Sequence, residues 1–214
     1  MGALVLFGGD CMRYTFLNQA KKILIKRIGT NNINKIMADS KKRLNELLEL
    51  NKDEPKGHRR LTHKNIYPAI ALLSGLMLNG YERDSAIILV KDAINTIAEG
   101  NAKSMQGLFK IPGLYKLYPR IFSRVQKKSF GEKSGFKSEV YPTAATRCKF
   151  DMRKCLYYDT LSRYNATDLC GAFCHNDDIM NERLHKKLAW ARTKTIGLGG
   201  DVCDFDIYIK DKKE

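Results

Sequence analysis

The stretch G-F-K-S-E-V-Y-P-T-A-A-T-R-C-K-F-D-M-R, residues 135–153, is where the chain changes its period. Apolar and polar residues alternate over 135–142. They alternate again over 147–153, where Cys148, Phe150 and Met152 stand between Arg147, Lys149, Asp151 and Arg153. A two-residue period on both sides of the short P-T-A-A-T connection predicts two antiparallel strands with one buried face. A third alternating run, D-F-D-I-Y-I-K, spans 204–210. Between the second and third runs, residues 167–191 read as helical.

Upstream of the switch the spacing is helical throughout. Phe16, Leu17, Ala20, Ile23, Leu24 and Ile28 share a face over 15–28, and Gly29 can end that helix. Ile33, Ile36, Met37, Leu44, Leu47 and Leu48 repeat the pattern over 33–50. Residues 51–61, with Pro55 and Gly57 as breakers, read as a linker. From Thr62 a strong helical face carries Ile66, Ala69, Ile70, Leu73, Leu76 and Met77, with Pro68 in the first turn and Gly80 at its close. Another helix begins near Glu82 and carries Ala86, Ile87, Val90, Ala93, Ile94 and Ile97; Gly100 and Gly107 weaken its far end. Pro112 and Gly113 interrupt the pattern, and 114–128 read as a basic, aromatic helix broken at Pro119. Residues 1–10 read as an edge strand or a tail. The predicted class is α+β in a single domain, 1–214. A mainly helical scaffold (1–130) packs on a small antiparallel sheet, with a C-terminal helix between its second and third strands.

Charge and cysteine usage narrow the function. The 214 residues are 43% hydrophobic and carry a formal net charge of +15. Residues 103–154 hold thirteen lysines and arginines against Glu132, Glu139 and Asp151. Such a field attracts an anion (a carboxylate, a phosphate or nucleic acid), or it is a solvated basic face. No nucleic-acid module accompanies it. No apolar run is long enough to cross a bilayer, and the first ten residues have neither a basic leader nor a small-residue cleavage site. The expectation is a cytoplasmic protein whose cysteines are thiols or ligands and not disulfides.

The chemistry-bearing residues gather near the C-terminus. With Cys170 as origin on a helix spanning 168–188, at ~100° per residue, Cys174, Asp177, Asp178, Asn181 and His185 share an arc of roughly 100°. Leu169, Phe173, Met180 and Leu184 fall on the flank beside it. A polar, nucleophile-bearing stripe beside a core-facing stripe is the pattern of a pocket wall; buried cysteines beside solvated carboxylates would read the same way. Next comes R-T-K-T-I-G-L-G-G-D-V-C-D-F, residues 192–205. Arg192 can clamp a carboxylate, and the backbone at Gly199 and Gly200 can approach an anion or simply turn. Four thiols, Cys155, Cys170, Cys174 and Cys203, can hold zinc or an iron–sulfur cluster, or one of them can be a nucleophile. Cys11 and Cys148 have no such company.

Y-Y-D at 157–159, L-C-x-x-F-C-x-x-D-D-x-M at 169–180, L-H-x-K-L at 184–188 and R-T-K-T-x-x-x-G-G-D-x-C-D-F at 192–205 resemble the L-2-amino-thiazoline-4-carboxylic acid hydrolase family. The likeness is dense from about Phe150 to Phe205; Y-P-A-I-A-L at 67–72 is a weaker match. Leu156 stands where the family usually has proline, and Val202 where it often has another residue; neither change removes a candidate catalytic group. The resemblance implies a hydrolase that opens a cyclic amidine, or a related C–N bond, in a small-molecule carboxylate substrate, giving a carbamoyl-cysteine from the named ring. It suggests Cys174, Cys203, Cys170, Asp178, His185 and Asp201 as the catalytic set, with a Cys174 or Cys203 thiolate attacking, Asp178 or Asp201 facing the amidinium and His185 shuttling protons. Arg192, Thr193, Lys194, Thr195, Gly199 and Gly200 become the substrate-binding set. It implies no cofactor. The competing readings are a metal or cluster protein on the four thiols and a nucleic-acid accessory protein on the basic stretch; a homo-oligomer is compatible with each.

Overall fold

Leu17, Ala20 and Leu24 recur at helical spacing and are fully buried, which seats the first helix, α1 (Thr15–Ile28), on the core. In the computed structural model, which describes residues 14–210, α1 is followed by α2 (Ile33–Leu50), α3 (Lys56–Leu61), α4 (Tyr67–Leu78), α5 (Arg83–Leu108) and α6 (Leu114–Ser129). The edge strand or tail expected at residues 1–10, and Cys11, lie outside the described residues. Gly29, at φ 77°, ends α1 as expected, its N–H donating to the Ile25 carbonyl.

The central packing unit is α2 against α4. Every residue from Tyr67 to Leu73 is buried, so α4 is enclosed on nearly all sides. Its Gly75 lies against α2 so closely that a Cβ would overlap the Ser40 hydroxyl and sit 2.9 Å from the Ile36 carbonyl oxygen. Ser40 is itself fully buried and donates to that same carbonyl at 2.7 Å. A small residue faces a small residue, and the two backbones approach.

Three local expectations differ from the structure. The stretch 51–61 is only partly a linker: its second half is α3, which continues through a π-helical turn (Thr62–Ile66) into α4. The Glu54 carboxylate organises this, accepting from the Thr62 hydroxyl at 2.6 Å and the Tyr67 hydroxyl at 3.1 Å. Gly57 is present for close approach, since a Cβ there would overlap the Lys133 carbonyl. The second difference is at Pro119, which does not break α6. Tyr118, Pro119 and Phe122 are buried together, and that burial outweighs one missing hydrogen bond. In the same way α5 runs on through Gly100 and Gly107 to Leu108.

The third difference is the C-terminal helix. It is shorter than 167–191. A helix α7 (Leu156–Arg163) precedes it, α8 covers only Cys170–Asn181, and Leu188–Ala191 is a strand. Local propensity favours a longer helix, but strand pairing wins. Trp190 pairs with Ile207 and Leu188 with Ile209 on an edge that would otherwise be open. At the helix end the Asn181 amide donates back to the Asp177 carbonyl at 2.7 Å and accepts from the Tyr118 hydroxyl at 2.5 Å.

The sheet therefore has four antiparallel strands, β1 (Lys137–Val140), β2 (Arg147–Lys154), β3 (Leu188–Ala191) and β4 (Cys203–Ile209), in the order β1-β2-β4-β3. The run expected as the third strand is the fourth. The α+β class stands, with helices on one face of the sheet. Register pairs Cys148 with Ile207, Phe150 with Phe205 and Met152 with Cys203, all buried. The Phe150 and Phe205 rings stack at 4.7 Å. The other face is solvated and charge-paired: Arg147 with Asp206, and Arg153 with Glu139 at 2.9 Å. All thirteen lysines and arginines of 103–154 are exposed, so this excess charge is solvated. Among the described residues no helix is long and apolar enough to cross a membrane.

Replacing Gly75 by Ala gains up to ~1 kcal/mol of helix propensity. It also forces α2 and α4 apart, at a cost of about 1–3 kcal/mol for overpacking. The expected result is a lower melting temperature, and Gly75→Ala with Ser40→Ala should recover part of the loss. Thermal denaturation followed by circular dichroism checks both.

Candidate active site

The inner face of the sheet, α5, α6 and α8 enclose a cavity of about 150 Å³. The sheet contributes Phe150, Met152, Trp190, Cys203 and Phe205; α8 contributes Phe173, Cys174, Asn176, Asp177 and Met180. On the helical wheel this α8 face straddles the junction between the polar and the apolar stripes. The helix is held in place from its N-terminal side, where Arg83, the first residue of α5, donates to the Asn165 carbonyl at 2.5 Å and the Asp168 carboxylate at 3.0 Å.

A buried guanidinium builds the polar wall. The Arg192 side chain, just past β3, is only 5% exposed. Its Nη2 donates to Asp178 at 2.5 Å and to the Cys174 carbonyl at 2.8 Å, and its Nη1 to Asp177 at 3.5 Å. Its flat face lies over Phe205 and Trp190, 5.5 and 5.9 Å from the ring centroids. The Trp190 indole N–H reaches the other oxygen of Asp178 at 2.9 Å. Asp178 is thus the carboxylate that neutralises Arg192, and Asp177 is the one that lines the cavity.

The thiols separate by environment. Cys155, Cys174 and Cys203 line the cavity; Cys170, fully buried, sits behind Cys174. A Cβ on Gly197 would fall 2.7 Å from the Cys170 sulfur and 2.8 Å from the Cys174 sulfur, so Gly197 closes over the pair. The Cys170 thiol donates to Cys174, which raises Cys170 and lowers Cys174. Burial opposes that lowering. The Thr195 hydroxyl, which has no nitrogen or oxygen partner, adds a second donor to the Cys174 sulfur; the Asp177 charge works against the lowering, and the Arg192 charge offsets part of that. The other thiols go the opposite way. Burial pushes Cys155 up to about 12 and Cys203 up to about 11, although the Ile196 N–H donates to the Cys203 sulfur at 3.2 Å. Among the described residues no group of three or more His, Cys, Asp and Glu side chains is disposed to hold a metal ion.

The sequence-predicted site residues divide into two sets. Cys174, Cys203 and Arg192 meet at the cavity, with Cys170, Thr195 and Asp178 directly behind them. The rest lie elsewhere. His185 is in the turn after α8, not on it; it stacks on Tyr115 at 4.4 Å, and its Nδ1 accepts from the Lys187 N–H. Asp201 is exposed and pairs with Lys194 at 3.0 Å. The N–H groups of Thr193 and Lys194 go to Asp204 at 2.9 and 2.7 Å. Those of Gly199 and Gly200 go to the Ile196 and Thr195 carbonyls. The glycine turn satisfies its own donors and offers no nest to an anion.

Asp177, Asn176 and Tyr157 line the cavity and Gly197 covers the thiol pair, and none of the four is in the predicted site set. Asp177 lay on the predicted polar arc, one turn from Cys174, and Gly197 opens the G-L-G-G run; both signals were readable. Asn176 and Tyr157 carry no spacing signal.

The sequence profile of the L-2-amino-thiazoline-4-carboxylic acid hydrolase family matches residues 59–207. No curated protein matches. Two solved structures are similar at a low level. An H-NOX protein from K. algicida in its Fe(II) unliganded form is 13% identical, with a TM-score of 0.39, covering 95% of this chain and 99% of that one. An H-NOX protein from S. oneidensis in the Fe(II)NO ligation state is 16% identical, with a TM-score of 0.32, covering 94% and 100%.

Cys174 should be the cavity thiol that alkylates first, with a rate that rises at a lower pH than an ordinary thiol's. Because Cys170 and Thr195 stabilise the thiolate, Cys170→Ala or Thr195→Val should move that profile up by about 1 pH unit each, the worth of one charge-assisted hydrogen bond. Iodoacetamide labelling against pH, read by peptide mass spectrometry, measures it; first labelling at Cys203 or Cys155 would contradict it.

Proposed function

The chain belongs to the L-2-amino-thiazoline-4-carboxylic acid hydrolase family, and from that premise we propose that it is a small-molecule hydrolase that opens a cyclic amidine, with Cys174 as nucleophile. The observation that carries the reading is the acidified Cys174 thiol facing an enclosed cavity, one helical turn from the Asp177 carboxylate. A family name alone would leave the nucleophile open between several cysteines; burial leaves Cys155 and Cys203 protonated at neutral pH.

The step follows from these groups. The Cys174 thiolate adds to the amidine carbon, and the amidine nitrogen, already protonated, takes the electron pair. Asp177 holds the N–H groups of that cation before attack. A nitrogen lone pair then re-forms the C=N bond as the ring bond from the same carbon to its heteroatom breaks, the proton that this nitrogen gives up goes to the leaving heteroatom, and the carbon stays on Cys174 as a thioimidate (an isothiourea where it carries two nitrogens). Water adds to that carbon, and the Cys174 thiolate departs. One water is consumed, and the thiol is regenerated. The Cys170 and Thr195 donors serve the thiolate both as attacking group and as leaving group. The apolar walls keep bulk water from the adduct.

The same geometry supports different roles for the remaining candidates. Asp178 positions Arg192 and Trp190. Thr193, Lys194, Asp201, Gly199 and Gly200 shape the turn that brings Gly197 and Thr195 to the thiols. His185 takes no part in this reading.

Incubation with 2-amino-thiazoline and its 4-carboxylate, followed by mass spectrometry for gain of one water, tests the proposal. Ring opening is expected from the native protein. Cys174→Ala should lower it by ~10³-fold or more, as loss of a nucleophile does. Cys203→Ala should retain it. Turnover by Cys174→Ala at the native rate would remove the assignment.

A further inference from the structure

We infer that the corner between α5 and α6 is a docking surface for an anionic lipid bilayer, which it meets with apolar side chains set among unpaired cations. The chain lies on such a bilayer and does not span it. The inference stands apart from the hydrolase reading, because it uses the outer side of α6 and no group of the cavity chemistry.

The first observation is a run of exposed aliphatic side chains. Leu108, Ile111, Leu117 and Ile121 are between 42% and 58% exposed. They follow one another around the corner. Leu108 ends α5, its carbonyl accepts from the Ile111 N–H at 3.1 Å, and Leu117 and Ile121 stand one turn apart on α6. The core makes no use of them, since α6 buries Tyr118, Pro119, Phe122 and Gln126 instead. With Tyr118 as origin, at ~100° per residue, those four span roughly 0° to 100°, whereas Leu117 and Ile121 fall near −100° and −60°. Single exposed aliphatic residues are ordinary; four in one corner make a patch.

The second observation is the charge around them. Residues 103–128 hold seven lysines and arginines and neither Asp nor Glu. All seven are exposed, and among the described residues none enters an ion pair, unlike Arg147 and Arg153 on the sheet. Five of them share the outer arc of α6 with Leu117 and Ile121. The turn after α8 extends the field. Its His185 stacks on Tyr115 of α6 at 4.4 Å, the Lys187 Nζ lies 5.4 Å from the same ring, and Arg183, Lys186 and Lys187 are exposed.

The combination selects the occupant. A second copy of the chain would bring the same cations face to face. Nucleic acid would answer the cations and leave the aliphatic side chains against a polar backbone. An anionic bilayer answers both. Its headgroup phosphates meet the lysines and arginines, whose stems lie along the surface, and the leucine and isoleucine side chains enter the acyl boundary.

The experiment floats the full chain with vesicles of phosphatidylcholine, and with vesicles in which about one third of the lipid is phosphatidylglycerol, at physiological ionic strength. Capture by the anionic vesicles should be at least ~10-fold stronger and should fall with added salt. Arg120→Gln with Arg124→Gln should weaken it by about 10-fold or more, each cation at such a surface being worth about 5-fold. Leu117→Ser with Ile121→Ser keeps the charge and should weaken it by about 10-fold. Lys35→Gln with Lys42→Gln removes equal charge from exposed positions on α2 and should leave capture within about 2-fold of native. Circular dichroism checks that each variant is folded. Equal capture by both vesicle types, or no capture of folded protein, overturns the inference. So does native capture by the Leu117→Ser, Ile121→Ser protein, for then charge acts alone. Duplex DNA bound more tightly than the anionic vesicles assigns the corner to nucleic acid, and self-association without vesicle capture assigns it to a second copy; either result overturns it as well.

Discussion

A guanidinium that is 5% exposed has to be surrounded by partners, and the site exists because Arg192 is. An unpaired buried charge costs several kcal/mol even after relaxation. The chain avoids this by closing three elements around one side chain. From α8 come the Asp178 carboxylate, the Asp177 carboxylate and the Cys174 carbonyl. From β3 and β4 come the Trp190 and Phe205 faces. The contacts are mutually dependent: Asp178 is shared with the Trp190 indole, so α8 can shift on the sheet only by giving up two hydrogen bonds to one carboxylate. Helix and sheet are thereby locked at the separation that leaves the cavity open between them. The guanidinium is a bracket for the site first, and only through that a source of positive potential at the Cys174 sulfur.

The same economy explains why neighbouring thiols differ. Cys155, Cys170, Cys174 and Cys203 lie within one neighbourhood, and burial raises the pKa of each. Only Cys174 has donors enough to reverse the effect. One comes from Cys170, four residues earlier and therefore on the same helical face. The other, Thr195, comes from the turn after β3. A turn that carried a side chain at position 197 could not come so close, since its Cβ would meet both sulfurs. The glycine-rich run therefore supports the chemistry from outside the cavity, by letting a loop deliver a hydroxyl and shield a thiol pair.

Much of this was legible in the sequence, and the failures have physical causes. Two-residue alternation named β2 and β4 because their outer faces are solvated and charged, the case in which the period is clearest. The short β3 escaped, since L-A-W-A has no alternation of its own and becomes a strand only where β4 offers an open edge. Extending the helical wheel through it put His185 on a face that does not exist. Within the true helix the wheel was sound: Cys170, Cys174, Asp177 and Asp178 lie as drawn. The wheel could not say which carboxylate faces the cavity. That depends on where Arg192 sits, and Arg192 arrives from another element. From sequence alone Gly57 reads as a breaker, and Gly199 and Gly200 read either as an approach to an anion or as a plain turn. At Gly57 and Gly197 the structure uses glycine for close approach, which single-sequence reasoning cannot distinguish from a turn.

The net charge of +15 illustrates a more general separation of scales. It invites the thought of an anionic ligand, and every lysine and arginine of residues 103–154 is indeed exposed. Exposed charges act through water and salt, and beyond a Debye length of ~8–10 Å they are largely screened. They bear on solubility and on what approaches the surface. What an enclosed cavity accepts is set by the desolvated groups at contact distance and not by solvated lysines on the outer surface.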